Sequence, residues 1–218
     1  MPVNQENYKG IIDELGSTCI LVAVSKTKPI EDIQALYEAG QRDFGENYVQ
    51  ELVDKQAALP ADVKWHFIGH LQSNKVKYIA AFVHLIHGVD SIKLLHEINK
   101  QAIKCQRTID VLLQVHIAQE ETKFGFNEEE LIAVFSLQPF SNLRVRGLMG
   151  MASFTNDQDK IRNEFKYLHS LFDQYSKSNS HFDILSMGMS SDYKIAIDEG
   201  STMVRIGSLL FGERNKPD

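Results

Sequence analysis

Apolar positions fall into two alternating rhythms along this chain. Short runs rich in β-branched residues read as strands: Ile20–Ser25, Arg42–Phe44, Lys64–Ile68, Val83–His87, Ile109–His116, Leu143–Met149, Phe182–Ser186 and Met203–Ile206. Between them lie longer stretches with apolar residues every three to four positions. These predict helices over Ile30–Ala39, Tyr48–Ala58, Asn74–Ala81, Ile92–Lys104, Glu128–Ser136, Asp157–Ser176 and Asp192–Glu199, preceded by a leading helix over Asn4–Leu15. Gly40 and Gly200 suit left-handed helix ends, while Ser73 and Ser191 suit helix starts. No Pro/Gly/Ser-rich linker and no repeat divides residues 1–218, so one domain is expected. Strands that alternate with helices in this way predict an α/β protein, a single (β/α)8 TIM-type barrel with short loops and an extra N-terminal helix. An open doubly wound sheet is the alternative, but no Gly-x-Gly-x-x-Gly turn follows the first strand.

Composition narrows the partners. Of 218 residues, 43 % are hydrophobic, enough for a large core, and the formal charge of −6 argues against a nucleic-acid binder. The N-terminus has no basic region followed by an apolar one, so no signal peptide is expected. The longest clear apolar run, Cys19–Val24, is too short to span a membrane. Cys19 and Cys105 are far apart and unmotifed, which suits buried thiols in a reducing, cytoplasmic compartment.

A barrel places its chemistry at the C-terminal ends of its strands. The first strand ends in Lys26, which shares a face with Val22 and Val24 by period two. A strand-end lysine is usually a solvated charge. Facing a barrel mouth, it becomes an amine able to form a Schiff base with an aldehyde. Asn47, in "FGENYVQE", either caps the next helix or offers its amide to a ligand. In "WHFIGHLQSNK", Gly69 and the strand pattern deny His66 and His70 a shared helical face, which argues against a zinc pair. Lys75 opposes the dipole of a helix start, a hint of an anionic neighbour. The histidines at 84, 87, 96, 116, 169 and 181 form no ligand or triad pattern and read as core or surface. Gly147 and Gly150 suggest close backbone approach, and at least one of Met149 and Met151 reads as core filler. "ILSMGMSSDY" places Gly188 in a turn before Ser190 and Ser191, and "MVRIGSLLFG" places Gly207 and Ser208 at a short helix start. Loops after strands seven and eight often bind phosphate in barrels. Arg205 shares a face with Met203 and, pointing inward, needs either a buried salt bridge or a ligand. A lysine, a phosphate cradle and an inward arginine together suit a phosphorylated aldehyde, and pyridoxal 5′-phosphate (PLP) has those parts. A cofactor-free Schiff-base aldolase uses the same lysine chemistry.

"AVSKTK", "FGENYVQE", "HFIGHLQSNK", "GLMGMASF", "SMGMSSDY" and "GSTMVRIGSLLFG" closely resemble motifs of the pyridoxal phosphate homeostasis protein family, in that family's order from about Ile20 to Gly212. The resemblance implies the fold-type III barrel of alanine racemases, with PLP on Lys26, Arg205 facing the pyridine nitrogen, and Asn47 near the cofactor. It also implies that Ser186, Gly188, Ser190, Gly207 and Ser208 lie in the motifs that hold the phosphate. One departure is Ser191, where the family often has aspartate. The sequence ends at Asp218, just after the barrel, so the C-terminal β domain that supplies a racemase's catalytic tyrosine is expected to be lacking. The resemblance thus implies a PLP carrier in vitamin B6 and amino-acid balance, with PLP-dependent apo-enzymes as possible recipients. The expected protein is a monomer without membrane or nucleic-acid partners. A catalytically active PLP enzyme, such as an amino-acid racemase, is the alternative.

Overall fold

The structure is a computed structural model that describes residues 3–118, 124–137, 139–177 and 179–212. Its strands are β1 (Ile20–Val24), β2 (Asp43–Glu46), β3 (Lys64–Phe67), β4 (Leu85–Val89), β5 (Ile109–Gln114), β6 (Leu143–Met149), β7 (Ile184–Met189) and β8 (Met203–Ile206). They close in chain order into one parallel barrel, with β1 pairing both β2 and β8. The helices are α1 (Gln5–Leu15), α2 (Ile30–Glu38), α3 (Val49–Ala58), α4 (Val76–Ile79), α5 (Ile92–Lys104), α6 (Glu128–Phe135), α7 (Gln158–Ser176), α8 (Tyr193–Asp198) and α9 (Ser208–Phe211). Among the described residues no helix is long and apolar enough to cross a membrane.

The larger core lies between the barrel and its helices. In α5, Leu94, Leu95, Ile98 and Ala102 recur at helical spacing and are buried. Each fully buried Leu or Ile contributes about 1.5–3 kcal/mol. Ser91 accepts the Leu94 N–H at the start of α5, and Asn127 with Glu130 forms a reciprocal capping box on α6. A smaller apolar cluster fills the barrel itself: Val22, Leu85, Leu112, Met149, Ile184 and Met203, with Met151 packed on it. Met149 is therefore core, as expected for one of the two methionines.

Several boundaries differ from the sequence reading. The strand expected at Arg42–Phe44 runs on to Glu46, because its carboxylate is buried and paired rather than solvated. β4 begins two residues late, since Val83 N–H still closes the preceding turn onto Ile79. The helix expected at Asn74–Ala81 is a 3-10 turn over Ser73–Lys75 followed by α4, so Ser73 lies inside it rather than capping it. Asp192, not Ser191, occupies the N-cap of α8. Gly188 lies within β7, not in a turn, at an irregularity where φ is +95°. A Cβ there would come 2.6 Å from that of Ala196, so the glycine lets α8 press onto the strand. Gly147 meets the backbone-approach expectation directly: its absent Cβ would stand 1.8 Å from the Ile184 carbonyl oxygen of β7.

Cys19 is buried, and burial pushes its thiol up to about 11, whereas Cys105 is half-exposed. Ellman's reagent should titrate one thiol in the native protein and both in denaturant. Two fast thiols in the native state would contradict this packing.

Candidate functional site

A cavity of about 670 Å3 opens at the C-terminal ends of the strands, within the usual range of small-molecule sites. Lys26, Asn47, Ser190, Arg205, Gly207 and Ser208 all line it, with Val24, Ile68 and Met151 as apolar wall. The period-two expectation for β1 holds: Val22 packs inside the barrel, while Val24 and Lys26 face the cavity.

The loop that carries Lys26 is held from beneath. Ser25 N–H donates to the Gly45 carbonyl, and Lys28 N–H donates back to the Ser25 carbonyl. Thr27 adopts a left-handed φ of +61°, a costly conformation for a β-branched residue. Its N–H is fixed by the Glu51 carboxylate at 2.6 Å. Behind the loop, buried Lys55 donates to the Ser25 carbonyl, to Glu46 and to Glu51, and Ser25 Oγ–H donates to Glu46 at 2.6 Å. Burial pulls the Glu46 carboxyl upward, against the Lys55 charge that holds it down. Lys28 donates to the carbonyls of Phe211 and Gly212, tying this loop to the end of α9.

On the opposite wall, Gly207 N–H donates to Ser190 Oγ at 3.2 Å, which joins the loops after β7 and β8. Asp192 accepts the Met189 N–H at 2.6 Å and shapes the same turn. α1 braces these loops from outside through Asn7 on the Leu209 carbonyl and Glu14 on Tyr193 and Lys194.

Arg205 forms the floor and is only 4 % exposed. Nη1 donates to the Ser186 carbonyl (2.9 Å) and hydroxyl (2.6 Å), and Nη2 to the Gly150 carbonyl (3.0 Å). Burial lowers its pKa to about 10, with Asp192 opposing, so it is cationic at neutral pH. Carbonyls and a hydroxyl clamp the guanidinium, which also lines the cavity, so the ligand alternative stands beside this buried clamp. Three of its five N–H groups are used in these bonds.

Two expected site residues stand apart from the cavity lining. Ser186 is fully buried beneath Arg205, and Gly188 packs against α8. Lys75 is exposed near the Tyr78 ring and does not line the cavity. The reading of the histidines as patternless is corrected. Ser186 Oγ also contacts His87 Nδ1 (3.2 Å), His87 Nε2 contacts His66 Nδ1 (2.9 Å), and His66 Nε2 contacts Asp43 Oδ1 (3.0 Å). An unbroken polar chain thus crosses the barrel from Arg205 to Asp43. Burial holds the His87 imidazole well below its ordinary pKa, so it is neutral.

The residues fit a phosphorylated pyridine aldehyde. Asn47 Oδ1 is buried with no hydrogen-bond partner among the described residues, an amide in the cavity wall that a ligand can satisfy. Gly69 allows this placement, because a Cβ there would come 2.4 Å from the Asn47 carbonyl oxygen. Lys26 supplies an amine, the two loops supply hydroxyls and first-turn backbone amides, and Arg205 supplies a fixed cation.

The family model described as "Alanine racemase, N-terminal domain" matches residues 4–215. A relative from Aquifex aeolicus named pyridoxal phosphate homeostasis protein is 44 % identical over 203 residues, 91 % of this chain and 89 % of that one. The structure of PipY from Synechococcus elongatus PCC7942 without PLP superposes with a TM-score of 0.90 at 34 % identity, covering 95 % of this chain and 99 % of that one. PipY with PLP bound superposes at 0.87. An alanine racemase from Clostridium difficile 630 shares the fold at 16 % identity (TM-score 0.79), with the match covering 100 % of this chain but 60 % of the racemase. The chain belongs to the pyridoxal phosphate homeostasis protein family, on the barrel of the alanine racemase N-terminal domain.

Proposed function

We propose that this protein binds PLP, holds it on Lys26 as a Schiff base and serves as a PLP carrier in vitamin B6 and amino-acid balance. One observation carries the reading: a single cavity gathers Lys26, Asn47, Ser190, Arg205, Gly207 and Ser208 from four strand ends. The relatives' name and the PLP-bound neighbour support it. When bound, PLP supplies a reactive aldehyde on an electron-withdrawing ring. Ser190, Gly207 and Ser208 take its phosphate, and Asn47 contacts its polar edge. Arg205 faces the ring nitrogen, where a fixed cation disfavours protonation. Ser186 and Gly188 serve indirectly, the first by orienting Arg205 and the second by seating α8 under the phosphate loop.

Borohydride treatment of the purified, PLP-loaded protein, followed by peptide mass mapping, tests this. Reduced PLP should sit on Lys26, and Lys26→Ala should not be labelled. PLP trapped on another lysine at undiminished occupancy would overturn the assignment. Adding amino acids to a separate, unreduced portion of the PLP-loaded protein separates carrier from enzyme: sustained racemisation would favour the racemase reading.

A further inference from the structure

The opposite mouth of the barrel holds a second cluster that the PLP reading does not use. Asp43 opens β2, His66 lies in β3, and His84 stands just before β4. One ligand-type atom from each lies within 4.8 Å of the others, the one such grouping among the described residues. We propose that Asp43, His66 and His84 form a binding site for a divalent first-row transition-metal ion of the zinc class at the N-terminal mouth of the barrel.

Two imidazoles and a carboxylate match the three-protein-ligand zinc sites that keep a fourth position for water. The scaffold is rigid: Asp43 pairs with Lys64, and Gly45 pairs with His66, in the β2–β3 ladder, and His84 N–H donates to the Trp65 carbonyl. Side chains on neighbouring strands therefore hold their spacing. His66 Nε2 and Asp43 Oδ1, 3.0 Å apart, share the proton that a metal would displace.

The outer shell is already built. A ligating histidine needs its other nitrogen fixed by an acceptor, and His66 Nδ1 meets His87 Nε2 at 2.9 Å, with His87 Nδ1 on Ser186 Oγ at 3.2 Å. With His66 bound through Nε2, its Nδ1–H donates to His87, and His87 donates to Ser186. Both nitrogens of each ring then keep a partner, and Ser186 Oγ accepts from His87 and Arg205. His84 is exposed, so the ion has an entry path and an open position toward solvent. Lys64 opposes the site, with Nζ 3.8 Å from Asp43 Oδ2, but its side chain is half-exposed and able to swing away.

The test uses untagged, chelator-treated full-length protein, with and without PLP. Zn2+ is titrated by calorimetry, and Co2+ by its visible d–d absorption. The proposal expects one ion per chain, a loss of affinity of about ten-fold or more in His84→Ala and Asp43→Asn, and tighter binding in Lys64→Gln. His70→Ala, at the separate His70–Asp90 pair, should titrate like wild type. No saturable binding, or binding that His84→Ala leaves unchanged, would overturn it. His84 is exposed, so that variant keeps its fold. The metal readout is independent of whether PLP binds at the other mouth.

Discussion

Lys55→Ala should lose about 3–5 kcal/mol of stability, read as a lowered urea midpoint, because it strands a buried carboxylate. Glu46 is fully buried, and Lys55 is its cationic partner at 2.8 Å. The other Glu46 oxygen, Oε2, already lacks a hydrogen bond among the described residues. Removing the ammonium therefore leaves the charge with only the Ser25 hydroxyl. The deficit should depend on pH with a definite sign. The folded Glu46 carboxyl already titrates above its ordinary value, and losing Lys55 raises it further. The folded variant then binds a proton that the unfolded chain releases, so its stability falls as pH rises above the ordinary glutamate range and recovers on acidification. A double variant, Glu46→Leu with Lys55→Met, should recover most of the loss, since an apolar pair replaces an ion pair at little cost. The same substitution should reach function. Lys55 and Glu51 hold the Ser25 carbonyl and the Thr27 amide on either side of Lys26. Borohydride-trapped PLP on Lys26 should drop in Lys55→Ala even under conditions where the variant is folded. A midpoint within about 1 kcal/mol of wild type would sink this account of the loop.

The barrel was legible because its strands are apolar on both faces and its helices on one, so the two periods separate cleanly. The strand-end rule then located Lys26, Asn47, Ser190, Arg205, Gly207 and Ser208 without any contact information. Glu46 was missed because a glutamate after a glycine reads as loop, and nothing local reveals that Lys55, nine residues on, neutralises it. Gly188 was placed in a turn for the same local reason, whereas its role is set by a helix packing across it. The line Asp43–His66–His87–Ser186–Arg205 was invisible to spacing, because its members are about twenty to a hundred residues apart. A signal was nonetheless present. In β8, β7, β4 and β3 a polar residue occupies the inward phase beside an apolar one: Arg205 with Met203, Ser186 with Ile184, His87 with Leu85, and His66 two before Ile68. Polar residues at inward positions of a closed barrel meet across its interior and must satisfy one another, as His87 of β4 and Ser186 of β7 do, which predicts a chain.

That chain gives Arg205 a fixed aim, and Arg205→Leu should weaken PLP binding about 10-fold to 150-fold, the equivalent of about 1.5–3 kcal/mol for a hydrogen bond to a charged group. The guanidinium ties two strands at once, with Nη1 on Ser186 within β7 and Nη2 on the carbonyl after β6. Arg205→Lys should not rescue fully: an ammonium on a flexible stem lacks the planar fork that meets both acceptors and still faces the cavity. Ser186→Ala keeps the arginine and the Ser186 carbonyl contact but removes the hydroxyl shared by Arg205 and His87. It should cost less, about two-fold to thirteen-fold in PLP affinity for about 0.5–1.5 kcal/mol, and should shift the absorption of bound PLP, which a purely structural role would leave in place. Thermal midpoints recorded beside each titration separate lost affinity from lost fold. If Arg205→Leu stays folded and binds PLP within two-fold of wild type, the cation does not face the cofactor, and the buried chain would have to be explained by the stability of the barrel alone.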